Sequence, residues 1–186
     1  MSDGDISPRP EGSVLMLVDG DHRSEESELL LSGILAFADE RGRRTDVVTL
    51  RRQEVPPCLG CLRCVTSHPG VCVHAAFFAA IAECSESASL VIFLTPVLFG
   101  SFSSPVKNVI DRGGLVVRNH RHCRQVIVGY GAEVPAEERS TFLDITAKHR
   151  GGADIVHPGV GERFEVLVAG SPQESETVLA SLRRVV

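Results

Sequence analysis

Four cysteines crowd one short stretch, PPCLGCLRCVTSHPGVC from Pro56 to Cys72, at the spacing C-x2-C-x2-C-x7-C, in a chain that has only six. Steps of three residues let Cys58, Cys61 and Cys64 converge on one point, and a short excursion through Pro69 and Gly70 brings in Cys72. Four thiolates meeting in a tetrahedral arrangement suit a [4Fe-4S] cluster or a zinc ion. The remaining use is as free or disulfide-forming thiols. Cys84 falls on a helical pattern and Cys123 just before an apolar run, so both read as buried structural thiols. His68 and His74 read as exposed loop histidines, and His120 and His122 of NHRHC as part of a solvated connection. No Ser-His-Asp or P-loop pattern is present in the sequence, and no residue declares itself a general acid or base.

The elements that must position these thiols can be read from composition and periodicity. The 186 residues suffice for one domain with a sizeable core, expected over residues 13–186 behind a polar tail at 1–12. Hydrophobic residues make up 43% and charged ones 23%, as in ordinary soluble chains. A net charge of -5 offers no electrostatic case for nucleic acid or an anionic membrane, so a small ligand is expected. MSDGDISPRPEG lacks the basic start and apolar run of a signal peptide. The best apolar run, Leu90 to Gly100, is about half the length a membrane span needs and contains Pro96. The expected compartment is the cytoplasm, where thiols stay reduced and clustered cysteines serve metal or redox chemistry more readily than structural disulfides.

Ser13 to Asp19 (SVLMLVD) is a continuous apolar run of the kind a strand buried on both faces shows. Glu25 to Arg41 follows with Leu30, Ile34, Phe37 and Ala38 at helical spacing, acids in its first turn and Gly42 just past its end. Further strands are predicted at Thr45–Leu50, Leu90–Thr95, Gln125–Tyr130 and Phe164–Gly170, with a weaker one at Ala153–His157. Helices are predicted at Ala75–Cys84, Pro105–Asp111, Ala136–His149 and after a Ser171 cap. Strands alternating with helices predict an α/β doubly wound fold, a parallel five-stranded sheet with helices on both faces. Ligands of such sheets bind at the carboxyl ends of the strands, which directs attention to the loops after Asp19, Thr95 and Tyr130.

Those loops carry a resemblance. The run TPVLFGSFSSPVKNVIDR, Thr95 to Arg112, resembles the flavin loop and following helix of the flavodoxin-like NADPH-dependent FMN reductase and iron-sulfur flavoprotein families. Leu98 stands where the family pattern has tyrosine, while Thr95, Pro96, Val97, Phe99, Gly100, Lys107, Asp111 and Arg112 match. The resemblance implies that Thr95 to Ser101 wraps the ring of FMN, with Gly129, Tyr130 and Gly131 as the facing loop. It also implies that Cys58, Cys61, Cys64 and Cys72 hold a [4Fe-4S] cluster near the flavin. In the family the first strand leads into a Gly-Ser-x-Arg segment that binds the FMN phosphate. Here the segment reads GDHRSEES, in which Gly20, Arg23, Ser24 and Ser27 could serve, while Asp21, Glu25 and Glu26 repel a dianion.

The function implied is FMN-dependent electron transfer from NAD(P)H or a protein donor to a small-molecule or protein acceptor, in a homodimer or homotetramer. A second reading is a non-catalytic flavodoxin-like protein that has lost FMN and uses its cysteines for zinc binding or redox sensing. A third is an FMN reductase without a cluster.

Overall fold

The structure, a computed structural model, describes residues 12–68, 72–74, 77–112, 123–156 and 164–186. Among these, β1 (Ser13–Asp19), β2 (Thr45–Leu50), β3 (Ala88–Pro96), β4 (Arg124–Tyr130) and β5 (Phe164–Ala169) form one sheet in the order β2-β1-β3-β4-β5. Every pairing is parallel, with Met16 opposite both Val47 and Ile92, and Thr95 opposite Gly129. This is the flavodoxin-like order, whose chain reversal lies between β1 and β3. The carboxyl ends of β1, β3 and β4 therefore bring Asp19, Pro96 and Tyr130 to one edge.

Strand residues alternate between two buried layers, as the two-residue period requires. Leu15, Leu17, Val91, Phe93 and Ile127 pack with α3 (Phe77–Ser87), α4 (Ser104–Ile110) and Phe142 of α5 (Ala136–Val156). Val14, Met16, Val18, Ile92, Leu94 and Val128 pack with α1 (Glu25–Glu40) and α6 (Pro172–Leu182). The β1 run has no polar face because helices cover both sides of it. On α1, Leu30, Ile34 and Ala38 recur on one face, and burying the two larger ones contributes about 2 kcal/mol each.

Several boundaries differ from expectation. Residues 153–156, predicted as a weak strand, instead continue helix α5, and β5 takes the place beside β4. His157 lies outside the described residues, as do Ala75, Ala76, His120 and His122. The helix expected from Ala75 runs from Phe77 to Ser87. One unforeseen turn of helix, α2 (Arg63–Thr66), interrupts the cysteine segment. Among the described residues no helix is long and apolar enough to cross a membrane.

Candidate functional site

The loop leaving β1 is built from its own side chains. Asp19, the last residue of the strand, is fully buried, and its Oδ1 accepts the backbone N–H of Asp21 at 3.0 Å and of His22 at 2.6 Å. The same oxygen lies 3.2 Å from His22 Nδ1, while Oδ2 is buried with no hydrogen-bond partner among the described residues. The Gly20 N–H donates to the Leu50 carbonyl, and a Cβ at Gly20 would meet Thr49 at 2.4 Å. Ser24 and Ser27 close a reciprocal capping box at the start of α1. Arg23 is paired with Glu28, and Asp21 accepts the Arg52 N–H at 2.8 Å. From beneath, the buried Tyr130 donates its hydroxyl to the His22 carbonyl at 2.8 Å. Burial, followed by the Asp19 charge, holds that phenol well above its ordinary range.

The loop leaving β3 is arranged in the opposite way. Leu98 and Ser101 exchange backbone hydrogen bonds at 3.0 and 2.9 Å around a two-residue tip, Phe99 and Gly100, with φ of 50° and 71°. Positive φ at both central positions is the signature of a type I′ turn, which glycine accepts and phenylalanine resists. Phe99 is 93% exposed, while Gly100 is buried against α5, where an added Cβ would meet Thr141 at 2.6 Å. The base is firm: buried Thr95 accepts the Ser103 N–H at 3.1 Å, and the Val97 N–H donates to the Tyr130 carbonyl. Pro96 and Val97 are buried, and Gly129 lies so close beneath that a Cβ there would meet Val97 at 2.9 Å and Phe142 at 3.0 Å. Gly131 donates to the Ala169 carbonyl and lies partly exposed beside Val134.

The turn leads directly into α4, and the far end of α4 organises the cysteine segment. Asn108 Nδ2 donates to the Val55 carbonyl at 2.9 Å. The buried Arg112 guanidinium donates to the carbonyls of Pro56 and Pro57 and stacks over Phe78, 4.2 Å from the ring centroid. Held there, Cys58, Cys61, Cys64 and Cys72 line one cavity together with Gly60, Leu62, His74, Asp111 and Arg112. Gly60 and Leu62 both take positive φ, so the backbone curls tightly between the thiols. Burial pushes the Cys64 thiol up, a backbone hydrogen bond opposes this, and Cys58, Cys61 and Cys72 push it further in the same direction. Among the described residues no three Cys, His, Asp or Glu side chains are grouped closely enough to hold a single metal ion. Cys84 is half-buried and Cys123 buried, away from this cavity.

The structure thus brings together the four cysteines named from spacing, and gathers Thr95 to Ser101 with Gly129 to Gly131 at one edge. Gly20, Arg23, Ser24 and Ser27 are in place beside that edge but are engaged with neighbours in the chain. Three residues escaped the sequence reading: Asp19, Asn108 and Arg112 in its anchoring role. Asp19 did leave a signal, a lone acid closing an otherwise apolar strand.

The test of fit for FMN divides at the ring and the phosphate. The exposed, pre-formed turn at Leu98 to Ser101 can present backbone and aromatic groups to a planar ring. The phosphate end fits poorly, because the N–H groups of Asp21 and His22 already hold a carboxylate and Arg23 is paired with Glu28. For a cluster the donor set is right, four thiols around one cavity.

Comparison with known proteins bears on the same regions. The family model described as NADPH-dependent FMN reductase matches residues 13–150. An iron-sulfur flavoprotein of Methanocaldococcus jannaschii is 31% identical over 106 residues, 57% of this chain and 47% of that protein. The chain spans about half the length of the curated relatives it matches. An NAD(P)H:quinone oxidoreductase from Methanothermobacter marburgensis superposes with a TM-score of 0.63 at 18% identity, covering 94% of both chains. An FMN-dependent NADH-azoreductase from Bacillus anthracis str. Ames Ancestor, solved in complex with FMN, gives 0.61 at 11% identity, covering 93% of this chain and 97% of that one. At these identities the structural matches speak for the fold.

Proposed function

This chain belongs to the NADPH-dependent FMN reductase family, and from that premise we propose that it is a flavin-linked electron-transfer oxidoreductase carrying a [4Fe-4S] cluster on Cys58, Cys61, Cys64 and Cys72. The donor in this reading is NAD(P)H or a protein, the acceptor a small molecule or a protein. The observation that carries it is continuity: the four-thiol cavity and the exposed β3 turn lie at opposite ends of one short helix. The seven residues of α4 span about 10 Å at 1.5 Å per residue.

When bound, a cluster supplies single-electron transfer. The chain's own contribution is to present four thiolates, to hold their segment by the carbonyl bonds of Asn108 and Arg112, and to place a buried positive charge in the cavity wall. A cubane takes one thiolate at each of four irons and so accepts a wider spread of donors than the tetrahedron around one zinc ion. The four thiols that line one cavity supply the donor number a cubane needs. On the flavin side, Val97 to Ser101 and Gly129 to Gly131 would embrace the ring, and the exposed Phe99 would cover it or meet a second subunit of a homodimer or homotetramer.

Anaerobic purification with optical and EPR spectra and an iron and sulfide assay tests the reading. Brown protein with about four irons per chain and bound flavin supports it; colourless protein with neither iron, sulfide nor flavin overturns it. NAD(P)H-dependent flavin reduction that survives serine replacement of all four cysteines would keep the reductase and remove the cluster. The closed β1 loop favours one competing reading, a descendant that has abandoned FMN and uses the thiols for zinc or redox sensing. Metal analysis that finds zinc, together with no flavin binding, would select it.

A further inference from the structure

Flavodoxin-like proteins that hold a phosphate do so with backbone N–H groups where β1 passes into α1, the positive end of a helix dipole. In this chain several of those donors are already engaged. Oδ1 of Asp19 stands on the N–H groups of Asp21 and His22 at 3.0 and 2.6 Å, much as a phosphate oxygen would. The Gly20 N–H is bound to Leu50, and Ser24 and Ser27 cap each other. Arg23, the arginine of the loop itself, is held by Glu28.

A second feature is independent of those donor contacts. Asp19 is fully buried, and its other oxygen, Oδ2, has no hydrogen-bond partner among the described residues. A buried carboxylate oxygen without a donor is an unfilled acceptor and an uncompensated part of a charge. A phosphate monoester carries -1.5 to -2 charges near neutral pH and brings further negative oxygens to this spot. The loop cannot simply swing away, because the Tyr130 hydroxyl holds the His22 carbonyl from below and Arg52 holds Asp21 from the side.

From the Asp19 contacts and its unpartnered oxygen we infer that the β1 loop carries its own anion in the phosphate position, so that the site takes a flavin ending in an uncharged ribityl hydroxyl and discriminates against FMN. This rests on the flavin-linked reading above and sharpens which flavin it concerns. The ring-binding edge at β3 and β4 is untouched by the substitution of phosphate by carboxylate, so the isoalloxazine end keeps its surface.

The test titrates the full chain separately with riboflavin and with FMN, following quenching of flavin fluorescence, and repeats both titrations with Asp19→Asn. Asparagine retains the acceptor oxygen for the two N–H groups and removes the charge. The expected result is riboflavin bound at least about tenfold more tightly than FMN by the unaltered chain, with that ratio falling about tenfold in the variant. Should the variant not fold, the ratio in the unaltered chain and the indifference of riboflavin binding to added inorganic phosphate still decide. FMN bound more tightly than riboflavin by the unaltered chain overturns the inference while leaving the flavin-linked reading intact. Failure to bind either flavin overturns both.

Discussion

The loops after β1 and β3 flank the same chain reversal, yet they treat their polar groups in opposite ways. The β1 loop satisfies itself, with a buried carboxylate on its N–H groups and a buried phenol on a carbonyl. The β3 turn keeps a firm base at Thr95 and Ser103 but holds a phenylalanine in a left-handed conformation, almost wholly in solvent. The first arrangement ties its N–H groups and a carbonyl into the fold and leaves Oδ2 of Asp19 as its one buried oxygen without a described partner. The second retains strain that the fold does not need, and strain kept at a ligand edge points to use. The difference teaches that the working surface of this molecule has shifted toward β3, α4 and the cysteines.

If that contrast is right, substitutions in the β1 loop should damage folding and those at the tip of the β3 turn should damage binding. The largest effect is expected from Asp19→Ala, which leaves two backbone N–H groups without their acceptor and should lower stability by about 3 kcal/mol. Chemical denaturation reads it directly, and a loss below about 1 kcal/mol would deny that Asp19 organises the loop. Next is Gly100→Ala, which combines a positive φ with a Cβ 2.6 Å from Thr141. A cost of about 2 kcal/mol is expected in the same assay. Unlike Phe99 beside it at the tip, Gly100 is buried against α5, so its substitution is read in folding rather than in binding.

Phe99→Gly should act with the opposite sign. The side chain is 93% exposed, so little packing is lost, and glycine adopts φ near 50° without penalty. A gain of about 1 kcal/mol in stability is expected, together with weaker flavin binding by fluorescence titration. A variant that is stabilised and binds flavin unchanged would reduce Phe99 to an ornament of the turn and break the comparison on the β3 side.

How much of this could be read from the chain depends on how local the cause is. The five strands were legible because strands of a covered parallel sheet write themselves as short apolar runs separated by helical periods, whereas their order across the sheet is seen only in the structure. The weak run at residues 153–156 misled because so short a β-like pattern cannot show that the preceding helix continues through it. In the first loop the sequence showed too many acids but pointed to Asp21, Glu25 and Glu26. Which acid reaches the donors is decided by the end of β1, and there Asp21 turns aside to Arg52 while Asp19 turns inward. The cysteine spacing was legible as convergence. The hold on it was not, since Arg112 and Asn108 reach carbonyls more than fifty residues earlier in the chain.

The smallest expected effect concerns Tyr130, and it can be read without a ligand. It is the only tyrosine, and the chain has no tryptophan, so phenolate absorbance reports this one group. Burial and the Asp19 charge raise its folded pKa above the ordinary value near 10. A group raised in the folded state contributes stability fully below the unfolded pKa and loses it as pH climbs above about 10 toward the folded value. Phenolate absorbance should therefore stay absent until alkaline unfolding begins and then rise with it. Tyr130→Phe removes the hydroxyl bond to His22, which is partly in solvent, at a cost of about 0.5 kcal/mol, and should shift the alkaline transition upward because nothing is left there to ionise. Ordinary tyrosine titration in the folded chain would mean that the β1 loop opens freely, and the contrast between a closed first loop and a presented third one would fail.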